Sequence, residues 1–467
     1  MSTVHDHEPE SHDLVIVSNR GPVGFRFDDR GRAVAGKTAG GLASGLRPLV
    51  ADGRSLWLAV AITEADRVAA AQGRMDANGI QLELLDVDPA VYSDAYDVIS
   101  NSTLWFLHHG IFDLARTPVF NERWHRAWRN YREFNLVVAD AVAARAPRRA
   151  DVLVQDYHLS LVPRFLAARR PDVSIVHYTH TPFAGPDAIG ILPSEAGREL
   201  AEGLAGATAC GFHTSRWRDR FTASLRSLGI EPPATFVAPL APDTTGIRAV
   251  ASGEACRAER TRIDQLRRDA QLIVRVDRLE LSKNILRGFH AYADLLDRRP
   301  DLHRRVVFLA LVYPSREGVP EYAAYRREVE ALAASVNGRF GTADWQPIIL
   351  DTDDDFPRAV AGFFLYDVLL VNPVRDGLNL VAMEGPAVNE ADGVLVLSRE
   401  AGSHTFLADH CLGVNPFDVT ETSRALEQAL DMDPATRSDL AAGLVGELRG
   451  RTPAQWLEAQ IRAARAG

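Results

Sequence analysis

Short apolar runs of strand length alternate along this chain with longer stretches of helical period, and that alternation leaves few folds open. It is the pattern of parallel sheets covered by helices, because each parallel crossover takes a dozen or more residues. Strands are expected at 14–18, 151–155, 174–178 and 208–212, and again at 272–276, 305–311, 346–350, 368–372 and 394–397. Between the two sets lies 229–246, which holds Pro232, Pro233, Pro239 and Pro242 and no long periodic element. The domain boundary is expected there, with 1–240 as one half and 241–452 as the other. A closing helix over 453–467, with Trp456, Leu457 and Ile461 on one face, is expected to pack back on the first half. The fold class is therefore α/β: two facing Rossmann-like, doubly wound domains with a cleft between them. Open α/β sheets take ligands beyond the carboxyl ends of their strands, so the site is expected in that cleft.

Composition narrows the partners. Across 467 residues, Lys+Arg 52 against Asp+Glu 62 leaves a net charge of −10, so there is no basic field to hold nucleic acid or an anionic bilayer. A bound phosphate must be met by a few local cations. No apolar run reaches the length of a membrane helix. The first thirteen residues carry acids and histidines rather than a basic start and an apolar core, so they do not read as a secretory leader. Cys210, Cys256 and Cys411 are odd in number and widely spaced, which argues against a disulfide framework or a zinc site. The expected setting is the cytoplasm, with no metal and no cofactor.

Four clusters can carry chemistry. VSNRGPVG at 17–24, followed by Ala39, Gly40, Gly41 and Leu42, delivers Arg20 to a strand end and offers backbone N–H groups without a Cβ in the way. VQDYHL at 154–159 and HYTHTP at 177–182 bring Asp156, His158 and His180 to one sheet edge, where they can orient hydroxyls or move protons. VDRLELSKN at 276–284 sets Arg278 and Lys283 across a strand-to-helix loop, so both can converge on a diphosphate. NPVRDGLNLVAME at 372–384 places Asp376 before a helix expected to start near Leu378, with Glu384 about two turns on. Each cluster also has a plain structural reading: a glycine turn, satisfied histidines, solvated cations, and an N-cap at Asp376.

Taken in this order, and with LSREAG at 397–402, these stretches resemble the trehalose-6-phosphate synthases, retaining glycosyltransferases of GT-B architecture, and most closely their actinobacterial branch. The resemblance implies transfer of glucose from a nucleotide-glucose donor, GDP-glucose favoured over UDP-glucose, to glucose 6-phosphate. The product would be α,α-trehalose 6-phosphate. It implies catalytic roles for Arg278, Lys283, Asp376 and His180. Donor binding falls to Gly41, Gly377, Leu378, Asn379, Leu380, Val381 and Glu384, and acceptor binding to Arg20, Tyr96, Trp105, Asp156 and Arg316. The implied partners are these two substrates, and a homo-oligomer is compatible with them; no nucleic acid or membrane is expected.

Three positions depart from the family pattern: Gln155 stands where His is common, Leu378 where Met is usual, and Met383 where many members have Lys. Loss of that lysine is expected to bear on donor-base choice or on the pocket beside Glu384. A hairpin-like insert at 25–32 lengthens the loop before Gly40. Alternative readings are a pseudo-glycosyltransferase joining a nucleotide-cyclitol to an aminocyclitol phosphate, and a non-catalytic sugar-phosphate sensor.

Overall fold

The alternation read from the sequence resolves into two separate parallel sheets. A computed structural model of the chain describes residues 14–38, 55–77, 79–316 and 318–466. The first sheet uses β1 (Leu14–Ser18), β4 (Leu56–Val60), β5 (Met75–Ala77), β6 (Ile80–Leu85), β7 (Asp151–Gln155), β8 (Ser174–Thr179), β9 (Ala209–Phe212) and β10 (Ala234–Val237). Their order is β10-β9-β8-β7-β1-β4-β6-β5, parallel except for the β5–β6 pair. The second sheet has the order β13-β12-β11-β14-β15-β16, all parallel. Its strands are β11 (Gln271–Arg278), β12 (Val306–Tyr313), β13 (Ile348–Asp351), β14 (Val368–Val371), β15 (Val394–Ser398) and β16 (Leu412–Val414). A separate antiparallel hairpin, β2 (Val23–Phe27) with β3 (Ala33–Thr38), forms where the insert was read.

The central strands are buried on both faces, as β7 and β15 show along their whole length, which is why they read as unbroken apolar runs. β4, β5, β6, β16 and β10 lie outside the strands expected from the sequence. The last lies inside the proline-rich stretch and pairs with β9, so that stretch still contributes to the first sheet. The helix Pro453–Arg465 returns to the first sheet, where Trp456 packs edge-on against Tyr178 of β8 at 5.0 Å. Its core-facing side carries Trp456, Leu457 and Gln460, all buried, with Ile461 partly buried against the same core.

In each sheet the strand order reverses once at the centre. In the first sheet this happens between β1 and β7, in the second between β11 and β14. Loops after such neighbouring strands diverge and leave a crevice at the carboxyl edge. Arg20 and Asp156 follow β1 and β7; Arg278 to Lys283 and Asp376 follow β11 and β14.

Candidate functional site

The second sheet supplies the charged half of the site. Arg275, fully buried on β11, ion-pairs with Asp277 at 2.9 Å and donates to the carbonyl of Lys283 and to Asn372 Oδ1. Those bonds tie the loop after β11 to the end of β14. Gly288, on the helix Ile285–Arg298, must lack a side chain, since a Cβ would run into the Arg275 guanidinium. Lys283 is thereby delivered to Asp376, with Nζ 2.6 Å from Oδ2. Burial works against the Asp376 charge, but Lys283 and the Asn379 amide outweigh it and hold the carboxyl below its ordinary range. Asp376 is therefore no N-cap: its backbone bridges Ala401, and its N–H donates to the Glu400 carbonyl. That pairing is the structural work of the LSREAG stretch.

The helix expected from Leu378 begins only at Val381. Asn379 sits in the left-handed region, at φ 74°, and Leu378 is buried, so the chain enters the helix late and Glu384 lies in its first turn. The backbone N–H groups of Leu378, Asn379, Leu380 and Val381 meet no acceptor among the described residues. They remain available to an anion, as the sequence suggested, but from a kinked loop joined to the helix start. Burial pushes the Glu384 carboxyl up to about 7. Met383 lies in the apolar core, 1% exposed, and so brings no polar group to the surface beside Glu384. Gly41 lies outside the described residues.

The first sheet supplies the other wall. Asp156, at φ 72°, turns the chain sharply after β7, and its Oδ1 accepts the His180 backbone N–H at 3.1 Å. Burial raises its carboxyl to about 6 against the N–H bonds from Tyr157 and His180. The His180 ring bonds Gln155 Oε1 at 3.1 Å, and Gln155 in turn donates to Gln460 on the closing helix. Burial holds that ring neutral. Tyr96 lies on a wide π-helical stretch, Asp94–Leu104, where it stacks on Tyr92 at 5.4 Å and on His158 at 5.7 Å. Trp105 stacks on His109 at 3.9 Å, and its Nε1, though buried, has no hydrogen-bond partner among the described residues. Arg20 is exposed at its strand end. His177 bonds the Asp156 carbonyl, a structural role.

The two walls touch. Arg316, from the loop after β12, lies over the Trp105 ring at 3.7 Å and bonds Tyr322 at 2.7 Å and Tyr157 at 3.2 Å. Arg278 lies 5.9 Å from the same ring. Trp217 donates to the carbonyl of Gly377, and Arg216 ion-pairs with Glu400 at 2.6 Å. A Cβ on Gly377 would overlap the His180 carbonyl oxygen, so this approach needs glycine. Lys283 is held by Asp376 at 2.6 Å and Arg278 by Glu280 at 3.0 Å.

Sequence reasoning passed over Arg275, Glu280, Tyr157, Tyr322 and His109. Glu280 stood inside a motif already singled out, so a charged residue retained between two cations was a usable signal; for the others the sequence carries none.

The whole chain can be set against known proteins. The model of Glycosyltransferase family 20 matches residues 12–466. A trehalose-6-phosphate synthase of Mycobacterium sp. (strain KMS) is 33% identical over 448 residues, covering 90% of this chain and 88% of that protein. A bifunctional trehalose-6-phosphate synthase/phosphatase of Thermoproteus tenax is 31% identical over 466 residues; the chain spans 62% of that longer relative. Among solved structures, one described as trehalose-6-phosphate from E. coli bound with UDP-2-fluoro glucose superposes with a TM-score of 0.84 at 28% identity, covering 97% of this chain and 98% of that one. A second is an alpha,alpha-trehalose-phosphate synthase (UDP-forming) from Burkholderia xenovorans in complex with glucose-6-phosphate. It has a TM-score of 0.82 at 26% identity, covering 97% of this chain and 100% of that one.

Proposed function

This chain belongs to glycosyltransferase family 20, and from that premise we propose that it is a retaining hexosyltransferase making α,α-trehalose 6-phosphate from a nucleotide-glucose and glucose 6-phosphate. The observation that carries the reading is the closed cleft itself. A buried lysine–carboxylate pair, beside backbone N–H groups that meet no acceptor among the described residues, lies at one switch point, and Arg316 of the same half reaches over Trp105 of the other wall. The division of labour belongs to the same proposal: 241–452 holds the donor, while 1–240 with the closing helix supplies most acceptor groups. Arg316 is the exception, reaching across from the donor half.

The mechanism follows from which charges change. As the glycosidic bond to the diphosphate breaks, negative charge grows on the leaving oxygen. Arg278, Lys283 and the N–H groups at 378–381 are fixed where they can meet it. Donors placed in this way are each worth about 3 kcal/mol in the transition state. Asp376 and His180 hold hydroxyls of the donor glucose. The acceptor attacks from the face the phosphate leaves, and the departing phosphate oxygen takes its proton, so configuration is retained without a carboxylate nucleophile. Trp105 and Tyr96 bound the acceptor sugar, Asp156 accepts from its hydroxyls, and Arg20 with Arg316 meets the 6-phosphate.

The preference for GDP-glucose rests on the resemblance to the actinobacterial branch; the buried Met383 adds nothing to it. The test is a matrix of UDP- and GDP-glucose against glucose 6-phosphate and free glucose, with product anomericity read by NMR. Absence of an α,α-1,1 product from every pair refutes the function. A higher kcat/KM with UDP-glucose reverses the donor choice alone.

A further inference from the structure

The carboxyl group of Glu280 is fully buried, and one of its oxygens serves both phosphate-facing arginines. Oε1 lies 3.0 Å from Arg278 Nη1 and 3.4 Å from Arg316 Nη1, and it also accepts from Ser315 Oγ at 3.0 Å. Oε2 is buried without a partner among the described residues. A carboxylate taken fully out of water is costly unless its position is needed, and here the two cations that repay the cost belong to different substrates. Arg278 comes from the end of β11, whereas Arg316 comes from the loop after β12 and is itself held at φ 51°, a backbone shape that needs an outside restraint. Neither arginine has another carboxylate within ion-pairing distance among the described residues. Their remaining contacts are aromatic faces and phenol hydroxyls, which carry no opposing charge.

Resting on the roles assigned above to Arg278 and Arg316, we infer that Glu280 is a positioning residue shared by the donor and acceptor sites, aiming both guanidiniums into the cleft from one buried oxygen. It touches neither substrate. The consequence is specific. Removing an arginine harms the recognition of one substrate, whereas removing the Glu280 charge harms both at once. Burial opposes that charge, but Arg278, Arg316 and Lys283 overcome it and hold the carboxyl below its ordinary range, so the anchor persists across the neutral range.

The test is Glu280→Gln, which keeps the shape and removes the charge, with Glu280→Asp as the conservative control. Steady-state kinetics should show KM for the nucleotide-glucose and for glucose 6-phosphate each rising about tenfold, the equivalent of one lost charge-assisted bond per arginine. Glu280→Asp should recover part of both. A change confined to one substrate, or to neither, overturns the inference. Should Glu280→Gln not fold, Ser315→Ala loosens the same oxygen, and a parallel rise of about two- to threefold in both KM values is expected. An effect on one alone again overturns it. The functional reading fails separately, through absence of product from the wild-type protein. In that event the calorimetric Kd of GDP, UDP and glucose 6-phosphate decides the matter for Glu280. Parallel weakening in the variant supports the shared anchor, and unchanged affinities refute it.

Discussion

Replacing Arg316 with Met separates acceptor recognition from chemistry, and the structure allows the size of the effect to be worked. The guanidinium donates to Tyr322 and Tyr157, pairs with Glu280 and sits 3.7 Å over the Trp105 ring, with the side chain 7% exposed. Methionine keeps most of the bulk against Trp105 and gives up every charged contact. A charge-assisted bond to a phosphate dianion in such an enclosed place is worth about 1.5 to 3 kcal/mol, or one to two decades in kcat/KM for glucose 6-phosphate. Glu280 keeps Arg278 and Ser315, so the buried carboxylate is not orphaned. The thermal cost should stay near that of one lost hydrogen bond to a charged group. Free glucose makes no contact through a phosphate, so its poor turnover should be nearly unchanged. The assay is initial rates with both acceptors at saturating donor, read as the ratio of the two kcat/KM values, which a general loss of active protein would not move. If both acceptors fall equally, or if donor KM rises instead, Arg316 is not the phosphate clamp and the acceptor half of the reading is wrong.

Arg278→Ala or Lys283→Ala should each lower kcat by about two orders of magnitude and also raise donor KM about tenfold, because the diphosphate they meet is charged before the reaction and gains further charge as the bond breaks. A rise in donor KM with kcat intact would make their role uniform binding instead. Gly377→Ala should cost about a hundredfold in activity by forcing the Asp376 loop away from His180, while each half stays folded; full activity would mean that the close approach is not the working arrangement. Glu384 is pushed up to about 7, so its folded form holds a proton that the unfolded chain, near 4.5, releases. Its contribution to stability is whole below about 4.5 and is lost as pH rises through about 7. Glu384→Gln should therefore raise Tm relative to wild type at pH 8 and not at pH 4.5, by scanning fluorimetry. An equal difference at both pH values would show that the carboxyl is not desolvated.

The strands and their polar ends were legible in the sequence because the information is local. An unbroken apolar run must be buried on both faces, and residues directly after it must emerge at the sheet edge, so Asp156, Arg278 and Asp376 fell at strand ends as read. The same local reasoning failed after β14. An Asp-Gly turn before an apolar stretch looks like a helix start, but Asn379 takes a left-handed conformation and Leu378 is drawn into the core, so the helix waits until Val381. Periodicity set Ile461 on the core-facing side of the closing helix, and it does pack there, partly buried. What periodicity could not show is that the polar Gln460 is fully buried beside Trp456, because Gln155, 305 residues away, offers it a hydrogen bond. Met383, one residue before Glu384, reads like a neighbour of the ligand, yet a helix turns about 100° per residue and sends it into the core. The sharing of Glu280 by Arg278 and Arg316 could be decided only by the tertiary structure. It depends on two loops from adjacent strands closing over one buried oxygen, and a geometry set by packing at long sequence separation leaves no periodic trace along the chain.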